Sequence, residues 1–282
     1  GQGGEKDIQK AVALFTLAAT KENSFAAFAL GKLYLAGDAA LPRDPAAALK
    51  WLTYAAELGN QFAQYRLGKL LLKGDDGIPK DVIAAIRWLT AAAKQENGYA
   101  EYALALVYLT GEDAPKDSVK ALSLLKRSAG RGNQFAQYRL GKLLLQGEDA
   151  PKDVKAAIRW LTAAAEQGNQ YAQYALGKLY LLGKEVPKDR SSAIKWFQLA
   201  ADQGNEYAQY FLEHMDDRLG QPPVAAVISL FHHLANIFQE QNQPPPSGGC
   251  LLYTSPSPRD KIKAKKIAQG HKADDHEPEM QL

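Results

Sequence analysis

Residues 59–72 read GNQFAQYRLGKLLL, and residues 132–145 spell the same fourteen residues again without a change. Aligning the chain on this stretch brings out further copies: NSFAAFALGKLYLAG from Asn23, NGYAEYALALVYLTG from Asn97, NQYAQYALGKLYLLG from Asn169 and a decayed NEYAQYFLEHMDD from Asn205. Their period is 36 or 37 residues, the length of one supersecondary unit in a repeat array. Between the copies lies a second recurring segment, opened by PRD at Pro42 and by PKD at Pro79, Pro115, Pro151 and Pro187.

Each repeat therefore carries two helical segments. In the first, apolar residues at Ala172, Ala175, Leu176, Leu179 and Tyr180 fall on one face at helical spacing. The second starts at an Asp such as Asp189, whose carboxylate can accept from the open N–H groups of the first turn, and the Pro upstream punctuates the loop. It ends after Ala200 and Ala201 at Gly204-Asn205, where the chain needs a left-handed residue. All four Trp residues, Trp51, Trp88, Trp160 and Trp196, stand seven positions after such an Asp, with Leu124 and Leu14 in their place in the other two units. One large apolar contact per repeat explains them, and core packing is favoured over a ligand role. Gly31, Gly68, Gly141 and Gly177 recur in the first helix, where a missing side chain admits the neighbouring helix closely, with Ala105 the tolerated exception. A helix pair of this size cannot bury its stripe alone, so the units must stack. The expected fold is all-α, a right-handed αα-solenoid of about six helix pairs.

The pattern A-x-x-x-L-G-x-x-Y/L-x-x-G, a loop with P-K-D, then A-x-x-W-x-x-x-A-A-x-x-G-N resembles the Sel-1-like repeat family, relatives of tetratricopeptide repeats. The resemblance covers about residues 5–218. It implies an αα superhelix acting as a scaffold for protein complexes, and it implies no catalytic residues.

The bulk composition agrees with a folded chain. Hydrophobic residues make up 46% of the 282, enough for a core, and 34 basic against 31 acidic residues leave a net charge of only +3. So small a net charge gives little reason to expect nucleic acid or an anionic membrane as an obligatory partner. No apolar run approaches the roughly 18 residues that cross a bilayer, and the first residues lack the basic and apolar regions of a secretory signal. A bacterial cytoplasmic location is expected. The chain opens in mid-pattern without a Met, as a fragment of something longer would. A single cysteine, Cys250, excludes an internal disulfide framework and a multi-cysteine zinc site. His214, His232, His233, His271 and His276 do not have the HExxH spacing of a zinc site, and there is no G-x-S-x-G or phosphate-cradling loop. No catalytic residue, metal or cofactor is expected.

Projecting the first helix at about 100° per residue leaves a strip outside its packing face. It reads Phe62, Arg66, Lys69 and Lys73 in one repeat, Phe135, Arg139, Lys142 and Gln146 in another, and Tyr171, Ala175, Lys178 and Leu182 in a third. An aromatic leads it every time: Phe25, Phe62, Tyr99, Phe135, Tyr171 and Tyr207. Two readings stand. The rings can complete the core between repeats, or they can form an aromatic ladder flanked by Lys32, Lys69, Lys142 and Lys178 along a concave groove, suited to a protein or peptide partner that presents an extended segment or an amphipathic helix with acidic residues. Aromatics interleaved with Lys and Arg could also stack single-stranded bases, against which the modest net charge argues.

Residues 1–218 are thus expected to form the solenoid and 219–241 a capping helix, in which Val224, Ile228, Phe231, Ala235 and Phe238 form an apolar stripe. Residues 242–282 are read as linker and disordered tail. Within them CLLYTSPSPRD, residues 250–260, resembles the in-frame translation of a transposase sequencing adaptor and is read as an assembly artefact, which leaves Cys250 no role. YFLEHMDD, LFHHLANIF and KKIAQGHKADDHE together resemble the C-terminal region of MobL-type relaxases of mobilisable elements. That resemblance implies an accessory scaffold of a DNA-transfer enzyme whose catalytic motifs have no match in this chain.

Overall fold

Asp and Asn alternate as the residues that start the helices. The computed structural model describes residues 7–74 and 77–214, and among them it contains twelve helices and no strand. The odd-numbered helices are α1 (Ile8–Ala19), α3 (Pro45–Glu57), α5 (Val82–Lys94), α7 (Ser118–Gly130), α9 (Val154–Glu166) and α11 (Arg190–Asp202). The even-numbered ones are α2 (Ser24–Ala36), α4 (Gln61–Lys73), α6 (Gly98–Thr110), α8 (Gln134–Gln146), α10 (Gln170–Leu182) and α12 (Glu206–His214). Asp7, Asp44, Asp81, Asp117, Asp153 and Asp189 each accept from a backbone N–H in the first turn of an odd helix, as the P-K-D reading anticipates. Asn23, Asn60, Asn97, Asn133, Asn169 and Asn205 do the same for the even helices. The sequence reading assigns those asparagines only to the preceding helix end, although Asn six times ahead of an apolar run is itself a helix-start signal.

The junction before each Asn is left-handed. Gly59, Gly132, Gly168 and Gly204 have φ of 84, 87, 87 and 86°. Glu22 and Glu96 hold the same place at 61 and 65°, a conformation in which a side chain costs about 1 kcal/mol or more.

Each even helix from α2 to α10 packs along the odd helix that follows it and, less extensively, on the odd helix before it, and α12 packs on α11. This is the αα-solenoid expected from the repeats. The close approach occurs where a glycine meets a fully buried side chain. A Cβ on Gly31, Gly68, Gly141 or Gly177 would lie 2.6 to 2.7 Å from Leu52, Leu89, Leu161 or Phe197. Those residues and Leu125 are among the largest completely buried side chains, each contributing about 1.5–3 kcal/mol. The central contact of each repeat is therefore the residue after Trp. Trp51, Trp88, Trp160 and Trp196 are half-buried and pack against the edges of the core clusters. Leu124 is buried, whereas Leu14 in the first unit is exposed.

Glutamine ladders tie the repeats together beneath the inner surface. Gln64, Gln137 and Gln173 donate from Nε2 to the carbonyls of Ala56, Ala129 and Ala165 at 3.0, 3.1 and 3.0 Å. Those carbonyls belong to the preceding repeat, whereas the Oε1 atoms accept from Gln95, Gln167 and Gln203 at the end of the second helix of the same repeat, at 2.8, 2.7 and 2.7 Å. In one repeat the set is rewritten. Glu101 replaces the first glutamine and is fully buried, Arg131 replaces the second and lies 3.3 Å from it, and Arg127 pairs with the same carboxylate at 2.7 Å. Glu101 cannot donate to Ala93, and Arg127 makes that bond instead at 3.4 Å.

A second ladder runs along the P-K-D loops, where Lys80, Lys116 and Lys152 reach Asp113, Asp149 and Glu185 of the next loop at 2.6, 2.9 and 2.7 Å. The expected capping helix at 219–241 and the segments at 242–282 lie outside the described residues.

Candidate inner-face binding groove

Successive even helices touch each other, α4 with α6 and α10 with α12, so the array closes toward them and their outer strip becomes its inner face. On that strip each leading aromatic from Phe62 onward meets a ring of the repeat before it. Phe62 pairs with Phe28 at 6.3 Å between centroids, Tyr99 with Tyr65 at 5.9 Å and Phe135 with Tyr102 at 6.3 Å. Tyr171 pairs with Tyr138 at 6.0 Å and Tyr207 with Tyr174 at 6.2 Å. The second ring of each pair stands three residues after the leading aromatic of its own helix. The sequence reading passes over it, because aromatics at that spacing read as ordinary packing face.

The pairs are neither core nor free-standing. Phe25, Phe62, Tyr99 and Phe135 remain 66, 47, 52 and 43% exposed, while Tyr171 and Tyr207 are half-buried. Each pair bridges a repeat boundary and still offers apolar surface. Offset and tilted arrangements of this kind contribute about 0.5–1.5 kcal/mol beyond burial.

The cations of the strip differ from one another. Lys32 is exposed, with its ammonium 5.8 Å from the Phe28 centroid. Lys69 is half-buried and Lys73 exposed. Arg66 and Arg139 are half-buried, with Nε atoms that are buried and have no hydrogen-bond partner among the described residues. Lys142 is only 9% exposed, deeper than a groove-flanking lysine would be. Burial, then the charges of Arg139 and Lys178, lower its pKa to about 8. Lys178 is lowered in turn by burial and by Lys184.

Between α8 and α10 the strip deepens into a cleft of about 240 Å³, lined by Tyr138, Lys142, Tyr171, Tyr174, Lys178 and Leu182 among others. The Tyr174 hydroxyl is buried without a hydrogen-bond partner, a condition that costs about 1–3 kcal/mol. Burial pushes the Tyr138 phenol up to about 12 and raises Tyr174 and Tyr102 as well. These groups can bind, but none is arranged as nucleophile and base. Among the described residues no three His, Cys, Asp or Glu side chains are placed to hold a metal ion. No helix among them is long and apolar enough to cross a membrane.

The Sel1 repeat model matches residues 1–23, 24–60, 61–97, 98–133, 134–169 and 170–205, so its units break at the junctions described above. Among solved structures the chain is similar to a Sel1 repeat protein from Oxalobacter formigenes, with 33% identity and a TM-score of 0.68 over 74% of this chain and 60% of that one. It is also similar to c5321, a protective antigen of uropathogenic Escherichia coli strains displaying an SLR fold, with 34% identity and a TM-score of 0.67 over 76% of this chain and 46% of that one. The chain thus spans about half to three fifths of the length of these relatives. A search of curated proteins returned no match. With six matched units, this junction register and these relatives, the chain belongs to the Sel1 repeat family, whose members generally serve as scaffolds for protein interaction.

Proposed function

We propose that this chain is a non-catalytic scaffold whose inner face, paved with ring pairs and flanked by cations, holds a segment of a partner protein. The observation that carries this reading is the exposure of Phe62, Tyr99 and Phe135 on a face whose underlying layer is closed. Contiguous exposed apolar surface rimmed by charge marks interaction sites, and aromatic anchors dominate such interfaces.

The sequence resemblance of the segments after Tyr210 to MobL-type relaxases supports a place in DNA mobilisation, as an accessory region working in the bacterial cytoplasm. Single-stranded DNA is the less favoured occupant of the groove. Its bases need open aromatic faces to stack on, and here most of the leading rings lie against rings of the neighbouring repeat.

Affinity capture from a bacterial lysate tests the reading, with wild type compared against a Phe62→Ala/Tyr99→Ala/Phe135→Ala variant whose fold is checked by circular dichroism. Because these rings are half exposed, the variant is expected to stay folded and to lose the wild-type partner. A folded variant that captures the same proteins would move the function to another face.

A further inference from the structure

The four tryptophans are half-buried, so each keeps surface that core packing does not use. Around Trp51 that surface widens into a cleft of about 630 Å³ along α3, lined by Leu49, Lys50, Trp51, Tyr54, Glu57 and, from α1, Thr20. Lys50, Tyr54 and Glu57 point away from Ala48, Leu52, Ala55 and Ala56, the buried stripe of the same helix, which puts the cleft on the outer side of the array. Trp51 and Tyr54 meet edge to face, with their centroids 6.3 Å apart. The place of Tyr54 is held by Ala91, Arg127 and Ala163 in the next three repeats. In the repeat before, Leu14 and Leu17 stand at the places of Trp51 and Tyr54 and are 59 and 58% exposed.

Lys50 and Glu57 are exposed, and neither forms an ion pair among the described residues. Seven residues apart on one helix, they are separated by a rise of about 10 Å, too far to pair with each other. The cleft thus joins an apolar middle to two charged ends of opposite sign, the layout of an interface core with its polar rim, and Trp and Tyr are the residues that most often anchor such interfaces.

We propose that this outer cleft docks an amphipathic helix of a partner protein, one that carries an acidic and a basic residue seven positions apart with large apolar residues between them. A helix lying beside α3 at a shallow crossing of about 20° has the same rise per residue. Its acidic residue therefore meets Lys50 and its basic one Glu57, while its apolar side chains cover Trp51 and Tyr54. The proposal stands apart from the inner groove, on another face and other residues.

A phage-displayed library of helical peptides tests this, depleted first on a Lys50→Glu/Tyr54→Ala variant and then selected on the full chain. The variant should stay folded, as circular dichroism checks, because Lys50 is exposed and alanine already stands at the place of Tyr54 in α5 and α9. The selected peptides, labelled with fluorescein and read by anisotropy, should carry the charge pair with Leu, Phe or Trp inside it. Tyr54→Ala alone should weaken their binding by about tenfold or more. Lys50→Glu should weaken it too, and changing the acidic residue of the peptide to Lys should restore it, a rescue that lost packing would not show. The Phe62→Ala/Tyr99→Ala/Phe135→Ala variant should bind these peptides as wild type does, which separates failure here from failure of the inner groove.

A depleted library that yields no binder would overturn the proposal, as would binders that lack the charge pair or are indifferent to Lys50→Glu. Sedimentation showing a dimer of the free chain that Tyr54→Ala dissociates would assign the face to a second copy and sink it as well.

Discussion

Glu101 occupies the place that glutamine holds in neighbouring repeats, and two arginines have moved in to serve it. A buried carboxylate is tolerable only when paired, and it cannot donate to Ala93 as its glutamine counterparts donate to Ala56 and Ala129. Arg131→Gln should therefore destabilise the protein by about 1–3 kcal/mol, leaving Glu101 with Arg127 as its remaining partner. Adding Glu101→Gln should restore most of that loss by rebuilding the pair seen at Gln64–Gln95 and Gln137–Gln167. A double-mutant cycle in urea reads the coupling directly, and additive effects would show that this link between the two helices of the repeat contributes nothing. None of this was legible in the sequence, where Glu101 and Arg131 are 30 residues apart and nothing marks them as facing each other. The orphan hydroxyl of Tyr174 was equally hidden, since a Tyr at that position recurs in other repeats and only packing decides whether its hydroxyl finds a partner.

Gly68 shows what the helices themselves require. Replacing glycine by alanine inside an exposed helix gains about 1 kcal/mol, but here a Cβ would stand 2.6 Å from Leu89 Cγ and 3.1 Å from the carbonyl of Ala85. Gly68→Ala should thus lower stability by about 1–3 kcal/mol, measured as a shift of the urea midpoint with unchanged slope. The period, the helix pairs, the Asp caps and the glycine contacts could all be read from the sequence because each recurs at a fixed spacing with its own physical reason. The depth of the Trp positions could not. Whether the residue seven or eight positions after Asp points at the glycine depends on how the two helices cross, and that angle is a property of packing. The same limit explains the aromatic strip. Periodicity places Phe62 outside the packing face, but only the approach of successive even helices brings it to Phe28.

Across the whole molecule, burial on the inner face displaces the titration of its groups. Lys142 has a pKa of about 8 against an ordinary 10.5, so between those values the unfolded chain binds a proton that the folded one does not. Stability should therefore rise with pH through that window. The Tyr138 phenol runs the other way. With its pKa pushed from 10.0 to about 12, it keeps its proton in the fold while the unfolded chain loses it, so stability should fall above about pH 10. Melting temperatures by circular dichroism should increase from pH 8 toward 10 and then decline, and Lys142→Met should flatten the rise while melting higher at pH 7. A wild-type profile flat over this range would mean that solvent reaches Lys142 freely.

Helices α4 and α8, alike at all but their last residue, make equivalent contacts with their neighbours. Gln64 and Gln137 reach equivalent carbonyls, and Gly68 and Gly141 admit equivalent leucines. Excising the two repeats between the matching stretches would therefore join α3 to a helix it already fits, and duplicating them would create no junction that has not been tried. A gene whose breakpoints fall in repeated text can lengthen or shorten its product in one recombination event, without a new contact having to evolve. The span of partner it can grip is then free to drift by whole graduations, like a ruler cut or extended at its marks.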